Sequence, residues 1–172
     1  WTKVDNVNNE TISISVSVNT GDRVQWKGKG IRMATSTSVI TRFVGSTAQF
    51  DVEGNIMSLL NEDKYVGTQI TANYTFHQLF NGSTTLINAR NLILPKNVLS
   101  SSFRSTFQFC SNLLTVPKLP ATTLSSNCYY QMFYGCKKLT KAPELPATTL
   151  ENSCYRSMFN GCTRLNSIKC LA

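Results

Sequence analysis

Apolar positions follow two different rhythms along this chain. In the first seventy residues they alternate: Ile12, Ile14, Val16 and Val18 are interleaved with Thr11, Ser13, Ser15 and Ser17. A period of two predicts a half-buried strand. Asn19-Thr20-Gly21-Asp22 has turn chemistry, and Val24-Gln25-Trp26 predicts a returning strand. Val39 to Val44 and Ala48 to Val52 are further strand candidates, and Glu53-Gly54-Asn55 predicts a turn into Ile56-Met57-Ser58-Leu59-Leu60. Residues 1–72 are therefore expected to form a β-rich cap or lead-in, a small antiparallel sandwich. The chain opens on Trp1, and the expectation is that this β-domain begins upstream of it.

From residue 73 the rhythm lengthens to a repeat. One copy reads Cys128, Tyr129, Met132, Phe133, Gly135, Cys136, Leu139, Pro143, Leu145, Pro146, and the next Cys154, Tyr155, Met158, Phe159, Gly161, Cys162, Leu165. Looser copies begin at Phe103, Phe107 and Cys110, and at Phe76 and Phe80, so that the leading aromatic advances by 27, 26 and 26 residues. Periods of 20–29 residues mark leucine-rich-repeat solenoids, in which each unit buries its apolar edge against its neighbours.

Within a copy, Tyr129, Met132, Phe133 and Cys136 fall at i, i+3, i+4 and i+7, which predicts a short helix with Gly135 as its left-handed cap. Phe109 stands at the glycine's place in an earlier copy, and that turn is expected to close differently. Leu139 to Leu145, interrupted by Pro143, suits an extended edge with Leu139 and Ala142 inward. Leu145-Pro146-Ala147-Thr148-Thr149-Leu150 then turns the chain back, with its threonines free to bond local backbone. The fold class expected is α+β: a short β-rich cap followed, over residues 73–172, by a leucine-rich-repeat solenoid of about four coils. Its core columns are Phe76, Phe103, Tyr129 and Tyr155; Phe80, Phe107, Phe133 and Phe159; and Cys110, Cys136 and Cys162.

Composition changes the picture in two ways. Serine, threonine and asparagine supply 54 of 172 residues while charged residues make up only 15%, which favours turns and side-chain hydrogen bonds over charged helices. Net charge is unevenly divided. Residues 1–73 carry seven basic and seven acidic side chains, so the whole excess of +8 lies in residues 74–172, where Glu144 and Glu151 are the only acids. A one-sided field attracts polyanions; solubility charge is the competing reading.

Chemistry is sparse. Without a CxxC pair and with His77 as the sole histidine, the cysteines suit no zinc site, and no metal or cofactor is expected. Their spacing of 26 places them in columns, open to disulfide bonding or to burial as thiols, with burial the simpler reading. His77 has no nucleophile or carboxylate at a motif spacing and reads as a surface histidine. Glu144 and Glu151 are weak candidates for a glycosidase pair, since they flank the Leu-Pro turn on different sides. With no phosphate loop, nucleophile elbow or calcium loop, an enzyme is not indicated. Arg104, Tyr130 and Arg156 follow the leading aromatics in register, and Lys138 and Arg164 lie two places beyond column cysteines. Guanidinium and phenol groups in such columns suit acidic sugars through paired hydrogen bonds and stacking.

Leu-Pro-Ala-Thr-Thr-Leu followed by Cys-Tyr-x-x-Met-Phe-x-Gly-Cys-x-x-Leu resembles the BspA-type leucine-rich repeats over about residues 74–172. Val24 to Gly28 and Gly54 to Leu59 resemble, more weakly, the β-rich segment that precedes such repeats. That family occurs on surface proteins of gut and oral anaerobic bacteria, with similar modules in their phages. The resemblance implies a right-handed solenoid used in adhesion, without catalysis. The expected function is a non-enzymatic extracellular recognition module on a bacterial surface, binding a surface protein or anionic glycan of a host or bacterial cell. The alternative is a receptor-reading module of a phage fibre or tail. No apolar run is long enough for membrane insertion, and no base-reading motif supports nucleic acid.

Overall fold

The structure is a computed structural model and describes residues 17, 19, 21–30, 33–38, 40–43 and 47–172. The strand expected at Ile12, Ile14, Val16 and Val18, and parts of the one at Val39 to Val44, lie outside the described residues.

The residues after Ser125 show how the repeat is built. Backbone N–H groups of Cys128, Tyr130, Met132, Tyr134 and Cys136 each donate three residues back, to Ser125, Asn127, Tyr129, Gln131 and Phe133. The intervening N–H groups, of Asn127, Tyr129, Gln131, Phe133 and Gly135, point sideways and donate to carbonyls of Asn152, Cys154, Arg156, Met158 and Asn160. Every fourth residue has positive φ: Asn127 at 56°, Gln131 at 52° and Gly135 at 72°. An α-helix donates four residues back with negative φ throughout, so this is a chain of tight turns. Residues 74–82, 101–109 and 153–161 repeat the same pattern of positive φ.

This overturns the expected fold class. Among the described residues, regular structure amounts to two strands, β1 (Phe50–Asn55) and β2 (Leu86–Ile93), and one four-residue helix, α1 (Ser58–Asn61). The chain is mostly turn and irregular backbone, not an α+β protein with a leucine-rich-repeat solenoid of about four coils. The cause lies in the period. A spacing of i, i+3, i+4, i+7 fits a turn recurring every four residues as well as a helix of 3.6, and the positive-φ positions decide for turns. Phe109, at φ 60°, closes its turn as glycine does elsewhere, which corrects the expectation of a different closure.

Side chains follow from the turns. Rings at matching places face one another between rungs of turns: Phe76–Phe103 at 5.3 Å, Phe103–Tyr129 at 5.8 Å and Tyr129–Tyr155 at 5.9 Å. A second row runs Phe80–Phe107 at 5.2 Å, Phe107–Phe133 at 5.5 Å and Phe133–Phe159 at 5.9 Å. Phe76, Phe80, Phe103, Phe107, Tyr129 and Phe133 are buried, whereas Tyr155 and Phe159 on the last rung are half-buried. Cys110, Cys136 and Cys162 are buried too, each thiol donating to the carbonyl of Phe80, Phe107 or Phe133 at 3.0–3.1 Å.

The lead-in is not an antiparallel sandwich among its described residues. β1 pairs in parallel with β2, Phe50 opposite Leu86 and Asn55 opposite Ile93, with register shifts near Asp51. Glu53-Gly54-Asn55, expected as a turn, lies inside β1, and Val24 to Trp26 forms no strand. β2 buries Leu86, Ala89 and Leu92, every third residue, so its sequence lacks the alternation that marks a strand. Thr115 bridges to Asn88 in parallel, and further isolated bridges join Lys141 to Ser167 and Leu145 to Cys170. Leu139 and Ala142 are buried, but no strand forms around them.

Close backbone contacts hold the lead-in together and tie it to the turns. Gly28 and Gly30 donate to Ser58 and Leu60, an approach so close that a Cβ on Gly28 would lie 2.1 Å from the Leu59 oxygen. Met33 and Phe43 donate to the carbonyls of Thr75 and Leu79, and the Phe43 ring lies 5.9 Å from Phe80. The apolar core is continuous from Ile56 to Cys162.

Candidate functional site

Of the five candidate binding residues, the structure brings two into contact. The Arg104 guanidinium carbon lies 4.6 Å from the centroid of the Tyr130 ring, a cation–π contact between adjacent rungs. Both side chains are half-buried, and Arg104 Nε has no hydrogen-bond partner among the described residues. Arg156 is exposed at the matching place of the next rung, and Lys138 and Arg164 form a separate, exposed pair of matching places. Asn112, which precedes Lys138 in register, turns its amide to the Thr84 carbonyl at 2.8 Å. The surface is a set of cationic columns and not a pocket. Tyr134, half-buried, packs edge-on to Phe109 at 5.4 Å.

His77 is not the surface residue the sequence suggested. It is 1% exposed, its Nδ1 lies 2.8 Å from the Arg104 carbonyl, and Nε2 has no partner among the described residues. Burial, opposed in part by that hydrogen bond, lowers its pKa from the ordinary 6.5, and the charges of Arg104 and Arg42 lower it further. Among the described residues no nucleophile is hydrogen-bonded to its ring, whose aromatic neighbour is Tyr74, edge-on at 5.8 Å. The missed signal is register. His77 sits one rung before Arg104, inside a run whose neighbours Phe76 and Phe80 are core.

Six thiols are free, five buried and Cys170 exposed. Burial pushes Cys110 up to about 12 and Cys128 to about 11, and it raises Cys136 and Cys162 as well. Such thiols are protonated hydrogen-bond donors with little nucleophilic character. Glu144 pairs with Lys169 at 2.9 Å on an exposed surface, and Glu151 is exposed. No cluster of three or more His, Cys, Asp or Glu able to hold a metal occurs among the described residues. No helix of the described residues is long and apolar enough to cross a membrane.

Sequence reasoning missed a cleft of about 520 Å³ at the seam between the lead-in and the turns. One wall is the segment around Tyr65 and Gln69, the other Leu94 to Val98, with Thr122 and Thr123 at its rim. Both threonines are exposed while Leu119, Ala121 and Leu124 of the same phrase are buried. Thr148 and Thr149 of the next copy, expected to bond local backbone, form no such side-chain bond among the described residues, and neither do Thr122 and Thr123. Exposed hydroxyls inside a buried phrase were the available clue.

No family model, no curated protein and no solved structure matches this chain.

Proposed function

We propose that the protein is a non-enzymatic extracellular recognition module that binds an anionic glycan or an acidic protein surface through its cationic columns. The observation that carries this reading is the division of charge: the whole excess of +8 lies in residues 74–172, where Lys137, Lys138, Arg156 and Arg164 are exposed. Exposed cations in a one-sided field speed encounter with polyanions and bind them weakly per contact. The resemblance of the Leu-Pro-Ala-Thr-Thr-Leu phrase to BspA-type repeats supports the extracellular setting.

Retention on immobilised polygalacturonate tests it. Replacing Lys138, Arg156 and Arg164 together by Ser should leave folding unchanged, because all three side chains are exposed. At about 0.5 kcal/mol per exposed contact, affinity should fall about tenfold. Binding should also weaken as salt shortens the Debye length below about 8 Å. Unchanged retention in the triple variant, or indifference to salt, would mean that the charge serves solubility.

A further inference from the structure

We infer that the cleft between Tyr65 and the Leu-Pro turns is a subsite for one or two sugar units bearing a carboxylate. The ligand class rests on the reading above, but the residues are separate from the columns. Its volume, about 520 Å³, falls in the range of small-ligand sites.

The lining holds one cation, Lys96, and no acid. Lys96 is exposed and makes no ion pair among the described residues, which leaves its ammonium free to meet a carboxylate. Tyr65 is half-buried, an amphipathic ring of the kind that stacks on the C–H face of a sugar. Thr122, Thr123 and the exposed Gln69 line the same cleft, with hydroxyl and amide groups able to donate to and accept from sugar hydroxyls. Of the other apolar residues of the lining, Met57, Leu94 and Val98 are buried, which leaves little apolar wall for the alternate side chains of a peptide.

The cleft is held in shape before any ligand arrives. Asn97 donates its amide to the Ile70 carbonyl at 2.9 Å and accepts from the Ile70 N–H at 3.0 Å, clamping one wall to the other. The Thr68 hydroxyl donates to the Tyr65 carbonyl at 2.7 Å, fixing the turn that carries the ring. Walls fixed in this way lose little freedom on binding.

Titration of the isotope-labelled protein with a galacturonic acid trimer tests the proposal, with a neutral galactose trimer and a glutamate tripeptide as the other arms. The expected result is saturable amide shifts at 96–98 and 122–123, with the acidic trimer bound at least fivefold more tightly than the neutral one. Lys96→Gln should erase that preference, and Thr122→Val with Thr123→Val should weaken both sugars without loss of fold. The triple column variant should leave these shifts intact, so failure of the columns and failure of the cleft are told apart. Absent shifts, a preference that survives Lys96→Gln, or a glutamate tripeptide binding as well as the acidic sugar, would overturn it.

Discussion

The first and last rungs of turns present opposite situations. At residues 74–82 the upstream side is covered: Phe43 lies on Phe80, Trp26 lies 5.3 Å from Phe43, and Met33 and Phe43 donate into the rung's carbonyls. At residues 153–161 no rung of the described residues covers the downstream side. Phe159 and Tyr155 are half-buried, and the N–H groups of Ser153, Tyr155, Ser157, Phe159 and Gly161 have no partner among the described residues. Their counterparts one rung upstream each bond sideways. Lateral bonds between the rungs of turns therefore run one way, donors upstream and acceptors downstream, whereas between the extended segments they run both ways, as from Ala89 to Thr115 and from Leu114 to Ile87. The last rung shows donors only, because the carbonyls from Asn152 to Asn160 at alternate places are already taken. Two such edges cannot pair with each other, since donor would face donor.

The largest expected effect sharpens this contrast. Phe133 is fully buried between Phe107 and Phe159, so Phe133→Ala should cost about 3–5 kcal/mol as a large-to-small core change. Phe159→Ala removes the same side chain where one face meets solvent, and should cost about 1–2 kcal/mol. Urea denaturation of both variants measures the gap. Equal losses would show that the last rung is as well covered as the interior.

Acid should act at the covered end. His77 has a lowered pKa in the folded protein, so as pH falls below 6.5 the unfolded chain takes up a proton that the folded one resists. Its contribution is fully present above the unfolded value and is lost progressively on acidification. The cause is burial first, then the positive charges of Arg104 and Arg42. The expected outcome is a fall in denaturation midpoint as the pH drops below 6.5 that His77→Asn largely removes. Hydrogen exchange should show the loss first at Phe76 to Phe80, against the lead-in, and not at the last rung. A pH profile identical in His77→Asn would assign the effect to other groups.

What the sequence made legible was position, and what it hid was backbone. The 26- and 27-residue spacing located the aromatic and cysteine places, because side-chain size and polarity are written directly in residue identity. The turns were hidden because nine of the left-handed positions in the rungs, Tyr74, Gln78, Ser101, Ser105, Phe109, Asn127, Gln131, Ser153 and Ser157, are not glycine. Each carries a conformational cost of about 1 kcal/mol that local propensity argues against. On the inner rungs, lateral hydrogen bonds between residues 25 or 26 apart help to offset that cost, and no local pattern reports them. The cationic columns could be placed by register, yet the contact of Arg104 with Tyr130 could not. The seam cleft was invisible because it joins segments whose proximity depends on the Asn97 clamp to Ile70.

The smallest effect concerns that hidden strain, at Phe109. It stands in the register of Gly82, Gly135 and Gly161, shares their positive φ at 60°, and is held there by its N–H bond to the Tyr134 carbonyl at 2.7 Å. Its ring also covers Gly135, where a Cβ would come within 2.8 Å of it. Phe109→Ala removes the ring and keeps the strained backbone, whereas Phe109→Gly removes both. Glycine ordinarily destabilises relative to alanine by about 0.5–1 kcal/mol. Here the order should invert, with Phe109→Gly more stable than Phe109→Ala by about 1 kcal/mol, because left-handed backbone costs an L-residue about that much more than glycine. Relative to the natural chain, Phe109→Gly should be near neutral, the relieved strain offsetting the lost edge-on contact with Tyr134. Gly161→Ala at the last rung is the matching measurement, since its N–H has no lateral partner among the described residues to hold a strained residue in place. Denaturation midpoints of the three variants decide the matter. If the alanine variant at 109 equals or exceeds the glycine one, the rung carries no strain there, and the lateral bonds are not what holds the turns in shape.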